Sequence, residues 1–231
     1  MTNQPVPPVW FRLPPGFHDI GPADRDALEE IAGALGALGA AGGSGGFGEG
    51  PAAGAAAGAG AGSQLARLMD CLDELAAQPG LHLLHSAVGL HPEGPEAVST
   101  SLFSLSVRPA EDAGAGAAVA RAALALARSA PGSGSTRRFV DLASGLPCAL
   151  VCGVLPVPGT GRGLFQARAV TAHPGGRHLL LLDLTSAATE HADAYTAILE
   201  AVAHTIVFAD PSPRPPGPPG GGISRILELL G

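Results

Sequence analysis

Histidine and cysteine pairs are the first residues in this chain whose types could bind a metal. His82 and His85 are three positions apart in an apolar run that alternates like a β-strand. An odd separation sends two strand side chains to opposite faces of a sheet. His91 follows in a stretch rich in Pro, Gly and Glu, and we expect a turn from His91 to Ala97. These histidines therefore predict no metal site.

Cys148 and Cys152 predict buried thiols in the core. They share one face of a strand, but four strand residues span about 13 Å, which is too far for a disulfide or a common metal ion. Structural zinc sites use closely spaced ligand pairs on turns, and this apolar run has no second pair. Three cysteines in all also exclude a disulfide framework.

Two glycine-rich runs could be mistaken for catalytic loops. Gly42–Gly46 has the letters of the Gly-x-Ser-x-Gly motif around Ser44. A nucleophile elbow needs a strand before the serine and a helix after it, whereas this run lies in Gly/Ala low complexity. Gly159–Gly163 has no following helix N-terminus to hold a phosphate, and we interpret it as a hairpin turn. We predict no catalytic residue and no cofactor.

A pocket could be built from Asp183, His191 and Tyr195. His191 and Tyr195 are four positions apart in the predicted last helix, so they share one of its faces. Asp183 ends the apolar run before that helix, and we expect it in the cap region. A pocket between the C-terminal strands and this helix would indicate a small-molecule-binding protein or an enzyme. The other interpretation of His191 is a hydrogen-bonded core histidine.

Two apolar groups are candidate partner-binding surfaces. Trp10 and Phe11, with Phe17, form an aromatic cluster in a chain that is only 4% aromatic; the alternative is that they pack into the core. The second group recurs at helical spacing and comprises Ile223, Ile226, Leu227 and Leu230. So short a helix does not hold alone in water. This stripe therefore orders only when something covers it, either its own domain or another molecule.

Composition and charge restrict the function further. The formal net charge of −7 argues against a nucleic-acid ligand, which needs a basic patch. No run approaches the roughly 18 apolar residues of a membrane span. Residues 1–8 have neither the basic region nor the apolar stretch of a signal peptide. We expect a cytoplasmic protein.

The domain organisation follows from shifts in composition. The Gly/Ala-rich segment offers little apolar area against the entropy of ordering it. The prediction is a disordered N-terminus at 1–8, a single α+β domain at 9–210 with a flexible insertion at 39–62, a Pro/Gly-rich linker at 211–222 and a short amphipathic peptide at 223–231.

Alternating apolar runs and turn residues predict the elements of the domain. The predicted strands are Val9–Leu13, Leu81–Val88, Ser101–Val107, Arg138–Leu142, Cys148–Leu155, Leu164–Ala172 and Arg177–Leu184. The predicted helices begin at Gly21 and Ser63 and span Ala113–Ala130 and Thr189–Val207. We predict an α+β fold, a three-layer α/β/α sandwich with a mainly antiparallel sheet of about seven strands.

Three stretches carry a resemblance to a known fold family. They are Phe11–Phe17 with its Leu-Pro-Pro-Gly-Phe turn, Ser144–Pro147 at the opening of a strand, and Tyr195–Phe208 at the end of the domain. With the order of elements, they make about 9–210 resemble the Mog1/PsbP-like fold, which includes small actinobacterial members. The chain departs from it in the insertion at 39–62 and in lacking the lipoprotein signal of secreted relatives. The resemblance implies a non-catalytic binding or assembly protein.

The leading functional hypothesis is therefore a non-catalytic interaction or adaptor module. The domain would dock one protein partner, while the C-terminal peptide would bind another partner or a second copy as a helix in a groove. Self-association is one outcome of this hypothesis.

Overall fold

The computed structural model of the chain describes residues 7–21, 24, 77, 80–92, 98–110, 114–129, 135–157 and 163–210. Several predicted segments lie outside these ranges. They are most of 1–8, the helix predicted from Gly21 beyond Asp24, the insertion at 39–62, the helix predicted from Ser63, the linker at 211–222 and the peptide at 223–231.

Seven strands form one sheet, in the spatial order β1-β2-β3-β7-β6-β5-β4, and all neighbours are antiparallel. The strands are β1 (Phe17–Asp19), β2 (His82–Pro92), β3 (Val98–Pro109), β4 (Thr136–Asp141), β5 (Pro147–Pro156), β6 (Gly163–Ala172) and β7 (His178–Ser186). The helices are α1 (Ala115–Ser129) and α2 (Ala192–His204). The predicted α+β fold with a seven-stranded antiparallel sheet is confirmed.

Helix α2 closes one face of the sheet, which we call the α2 face. Tyr195, Leu199 and Val202 recur at helical spacing and are almost completely buried there. They pack on leucines and phenylalanines that project from alternate positions of β3, β5, β6 and β7. This face is a continuous apolar core, and it also contains the Cys148 and Cys152 side chains.

Helix α1 covers the opposite face, which we call the α1 face. Its buried side is made largely of small residues, Ala118, Val119, Ala122, Ala123 and Ala127. Short side chains let the helix axis lie close to β5 and β6. The strand residues beneath it are those that alternate with the α2-face set. Strand β7, central in the sheet, is buried along its whole length because both faces are covered.

Strands β4 to β7 form the predicted meander, and their bounds differ from the predicted ones by only a few residues. The turn after Asp141 contains Gly145 at φ 74°, and the turn after Ala172 contains Gly176 at φ 69°. Glycine adopts this left-handed conformation without steric penalty. The turn residues read from the sequence therefore place both hairpins.

The predicted first strand, Val9–Leu13, is wrong. Only Trp10 pairs with another strand-like segment there, through an isolated bridge to Val207. Prolines precede and follow the run, and proline cannot donate to a ladder. The first true strand is β1, which begins after Gly16 at φ 92° has redirected the chain.

The predicted placement of His82 and His85 on opposite faces is also wrong. The pairing of β2 with β3 slips by one residue at Leu84, so His82 lies opposite Val107 and His85 opposite Leu105. Val107 and Leu105 both belong to the α2-face core, and directly paired residues share a face. The one bulged residue thus places both histidines on the α2 face. Strand β2 also continues through His91 to Pro92, where a turn was predicted.

Asp183 is not in a helix cap. Strand β7 continues for three residues beyond it to Ser186, and a 3-10 turn at Thr189–His191 precedes α2. The strand can include the charged Asp183 because Arg168 on β6 lies directly opposite this residue. In the described ranges no helix is both long and apolar enough to cross a membrane.

Candidate functional site

A cluster of polar side chains lies on the α2 face near the N-terminal end of α2. We call it the histidine–tyrosine cluster; its members are His91, Ser99, Ser101, His191 and Tyr195. The Tyr195 hydroxyl lies 2.8 Å from Ser99 Oγ, and His91 Nε2 lies 2.7 Å from Ser101 Oγ. Both contacts are hydrogen bonds. The cluster thus groups imidazole, hydroxyl and phenol side chains, which are residue types that can act in catalysis or binding.

Aromatic rings enclose the cluster. The His91 ring meets Tyr195 edge-on at 5.2 Å between centroids and Phe17 at 5.5 Å. Phe165 stacks on Tyr195 at 6.0 Å, and His191 lies edge-on to the same ring at 6.4 Å. Such edge and stacked arrangements are favourable aromatic geometries. The His91 and Tyr195 rings are therefore packed against neighbouring aromatic rings.

Strand pairing positions the cluster. His91 lies opposite Ser99 and Gly89 lies opposite Ser101 in the β2–β3 ladder. A Cβ atom at position 89 would lie 2.5 Å from Ser101 Oγ and 2.7 Å from His91 Nε2. Only glycine leaves room for the histidine to reach across to the serine at that point.

The His91–Ser101 pair has the chemical identity of a base and a nucleophile, but its surroundings do not suit catalysis. A catalytic serine attacks the substrate carbonyl, so its oxygen must be accessible to the substrate. Ser101 is 0% exposed and Tyr195 only 2%. His91 is half-buried, and its bond to the fully buried Ser101 hydroxyl satisfies a buried polar group. Tyr195 is therefore a core residue, whereas His191, for which the sequence leaves a core and a pocket role open, is half-buried.

The structure brings together two of the three predicted pocket residues. His191 and Tyr195 are in contact on the α2 face, whereas Asp183 alternates with Leu182 and Leu184 and faces the α1 side. Asp183 Oδ1 lies 2.6 Å from Arg168 Nε. Burial raises the pKa of the Asp183 carboxyl, and the Arg168 charge opposes that rise. Asp183 is thus half of a buried ion pair on the other side of the sheet.

The predicted buried thiols are confirmed. Cys148 and Cys152 are free and buried on the α2 face. Burial, with the nearby Glu200 charge, raises the pKa of Cys148 to about 12, and burial also raises the pKa of Cys152. A protonated thiol is neither a good nucleophile nor a metal ligand. Across the described ranges, no three His, Cys, Asp or Glu side chains group as a metal site would require.

The aromatic residues near the start of the chain separate into two groups. Phe11 packs on Phe103 and His85 with centroids 5.7 and 5.1 Å away, and Phe17 also contacts Phe103. Both belong to the α2-face core. Trp10 is half-buried and bonds through its backbone to Val207 at 2.9 Å. The structure therefore uses the two phenylalanines for packing.

Comparison with known proteins finds only weak similarity to solved structures. No protein-family model matches the chain, and no curated protein matches it. A solved structure, of LpqN involved in cell envelope biogenesis of Mycobacterium tuberculosis, is similar to this chain. The sequences are 17% identical over 57% of this chain and 80% of that one, with a TM-score of 0.37. At this level the similarity bears on neither the activity nor the partners of this chain.

Edge strand β4 carries a second candidate surface, which sequence analysis missed. Phe139 is 67% exposed on it, more than Leu84, Leu90, Leu124 or Val207. All residues of β4 except Val140 are exposed. One signal was available: a single phenylalanine in the otherwise charged run Thr-Arg-Arg-Phe-Val-Asp. Its exposure depends on β4 being the outermost strand, which the run alone does not indicate.

Proposed function

We propose that this chain is a non-catalytic protein-interaction or assembly module. The observation that carries the proposal is that the chemically capable groups bond within the domain. Ser99 bonds to Tyr195 in the buried interior, and half-buried His91 bonds to the fully buried Ser101 hydroxyl. Active sites normally combine such groups with a cavity that admits substrate. Here the space beside Ser101 would not hold even an added methyl group at Gly89.

The resemblance to the Mog1/PsbP-like fold supports the same proposal, because that family consists mostly of binding and assembly proteins. The support is analogy at the level of the fold, and a fold hosts many functions. The weight of the proposal therefore lies on the packed cluster.

We further propose that the C-terminal peptide is a docking motif. Ile223, Ile226, Leu227 and Leu230 form one apolar stripe at helical spacing, in a segment outside the described residues. Burying four aliphatic side chains gains roughly 6–12 kcal/mol before costs. Ordering the peptide and losing its translational freedom offset most of that gain, which leaves binding at about micromolar strength. Such strength suits a reversible adaptor.

The test compares three full-length proteins by affinity capture with quantitative identification of the bound partners. Leu227→Asp places a charge in the apolar stripe, and Ser224→Asp places the same charge outside it. The proposal expects Leu227→Asp to lose partners that the wild type and Ser224→Asp both retain. Identical partners for all three proteins would discard the peptide as a docking motif.

A further inference from the structure

Strand β4 lies at one end of the spatial order of strands in the sheet. Among the described residues β4 pairs only with β5, in a register without a shift from Thr136 to Asp141. None of its six residues is proline, so each retains a backbone N–H. An unbroken edge strand presents a row of backbone donors and acceptors to which another strand can pair.

The side chains along this edge alternate between the two faces of the sheet. Phe139 lies opposite Ala149 and Arg137 opposite Val151, both of which belong to the α1-face core. Asp141 follows at the next position of the same alternation. Arg137, Phe139 and Asp141 thus form one exposed row, with a cation at one end, an aromatic ring in the middle and an anion at the other end.

The alternate row faces α2 and is already engaged within the chain. Arg138 lies opposite Leu150 and forms an ion pair with Glu200 on α2. Its charge is therefore neutralised by its own domain. The charges available to a neighbour along the other row are those of Arg137 and Asp141, and they are of opposite sign.

We propose that a second copy of this chain pairs with β4, strand to antiparallel strand, about a twofold axis that passes through Phe139. In that register Phe139 lies opposite the partner's Phe139, and Arg137 lies opposite the partner's Asp141. The symmetry repeats the ion pair on the other side of the axis. Directly opposite side chains of antiparallel strands are about 5 Å apart, within reach of both kinds of contact.

Neighbouring registers do not offer this complementarity. A twofold axis at position 138 would place Arg137 opposite the partner's Phe139 and Asp141 opposite the partner's Ser135, so neither charge would meet one of opposite sign. An axis at position 140 would place Phe139 opposite the partner's Asp141 and leave Arg137 without an acidic partner. Because a C2 interface uses one patch twice, a strand must complement its own reverse. The run 137–141 does so only about Phe139.

The inference deepens the proposed function by naming a second copy as a partner, and it uses a surface distant in sequence from the C-terminal peptide. Failure of the peptide test leaves β4 pairing untouched, and failure of the β4 test leaves the peptide untouched. The two proposals are therefore distinguishable.

The experiment measures the mass of the full-length protein by sedimentation velocity over about 1–200 µM, a range suited to a small interface. Wild type is expected to move from 22.8 kDa towards twice that mass as concentration rises. Phe139→Glu is expected to remain monomeric, because it places two carboxylates together on the axis. Leu124→Glu is the matched control: Leu124 on α1 is 45% exposed, and its change leaves the dimer intact.

Charge reversal tests the register. Arg137→Asp puts two aspartates opposite one another at both symmetric positions, and Asp141→Arg puts two arginines there. Each variant alone is expected to dimerise about tenfold more weakly. An equimolar mixture of the two variants regains both ion pairs in a heterodimer and is expected to return to wild-type strength.

Three results would overturn the inference. The wild type could stay monomeric throughout the concentration range, or form a dimer that Phe139→Glu does not affect. The single reversals could also weaken the dimer without the mixture restoring it, which would rule out this register. Circular dichroism of every variant excludes unfolding as the reason for a lost dimer.

Discussion

Replacing Gly89 with alanine tests whether the histidine–tyrosine cluster is as tightly packed as its distances indicate. The new Cβ would lie 2.5 Å from Ser101 Oγ, 2.7 Å from His91 Nε2 and 2.9 Å from Phe17 Cε1. Real Cβ atoms do not approach heavy atoms so closely, so the histidine and serine must separate. We expect their hydrogen bond to break.

The expected loss of stability follows from three contributions. Overpacking a core position costs about 1–3 kcal/mol, and a buried hydroxyl without its partner costs about 1–3 kcal/mol more. Alanine returns about 0.4–1 kcal/mol by restricting the unfolded chain. The net destabilisation is about 3 kcal/mol, which lowers the melting temperature by roughly 6–12 °C in a chain of this size.

Gly153→Ala is the matched control, because Gly153 also lies inside a strand. A Cβ atom there would meet Ser135 Cβ at 3.5 Å, an ordinary van der Waals contact. This control is expected to be neutral or slightly stabilising. Urea and thermal unfolding of both variants measure the difference. If Gly89→Ala lies within about 1 kcal/mol of Gly153→Ala, the packing described for the cluster is wrong.

Two further predictions concern buried charge. Because the pKa of Cys148 is raised from 9.0 to about 12, the unfolded thiol ionises above pH 9 while the folded one does not. This group should lower the free energy of unfolding by about 1.4 kcal/mol for each pH unit above 9. Urea unfolding at pH 8 and 10 should show a smaller loss of stability for Cys148→Ala than for the wild type. Equal losses in the two proteins would contradict the raised pKa of Cys148. Arg168→Gln removes the charge that opposes the raised pKa of Asp183, and losing one partner of a buried ion pair costs about 3–5 kcal/mol. The pKa of Asp183 then rises further, so the loss of unfolding free energy in Arg168→Gln should become smaller as pH falls from 8 to 5. A loss that is independent of pH, or an equal loss in the exposed Arg137→Gln, would refute this.

The second half of the sheet was predictable because its connections are short hairpins. Each strand there is followed by its spatial neighbour, and glycine and proline mark the breaks. Alternation of apolar side chains then sets which face each residue takes. The sequence contains this information locally.

The first half was less predictable because single residues change its register. The bulge at Leu84 reverses the alternation for every residue after it along β2. The sequence of an apolar strand does not indicate which residue is bulged. His91 is assigned to a turn for another reason, the Pro, Gly and Glu residues that follow it, so the sequence does not indicate its contact with Ser101. The face of His82 relative to His85 depends on this bulge and cannot be found by counting positions.

The Arg168–Asp183 ion pair can be predicted from the register of the β6–β7 hairpin. The turn at Pro174-Gly175-Gly176 pairs His173 with His178, whose backbone groups are 2.9 Å apart. Counting five positions outward along each strand from that pair leads to Arg168 and Asp183. The ion pair could therefore be derived from the hairpin register once a turn centre was assumed.

The start and end of the domain are joined to each other, and this has a consequence for biosynthesis. Trp10 and Val207 exchange backbone hydrogen bonds, and the Arg12 amide donates to Thr205 Oγ1 across a separation of 193 residues. At ribosomal speeds of about 5–20 residues per second, the early segment waits on the order of ten to forty seconds for its counterpart. During that interval the segment that contains Phe11 lacks its contacts with residues 205–207, so this joint forms among the latest of the described tertiary contacts.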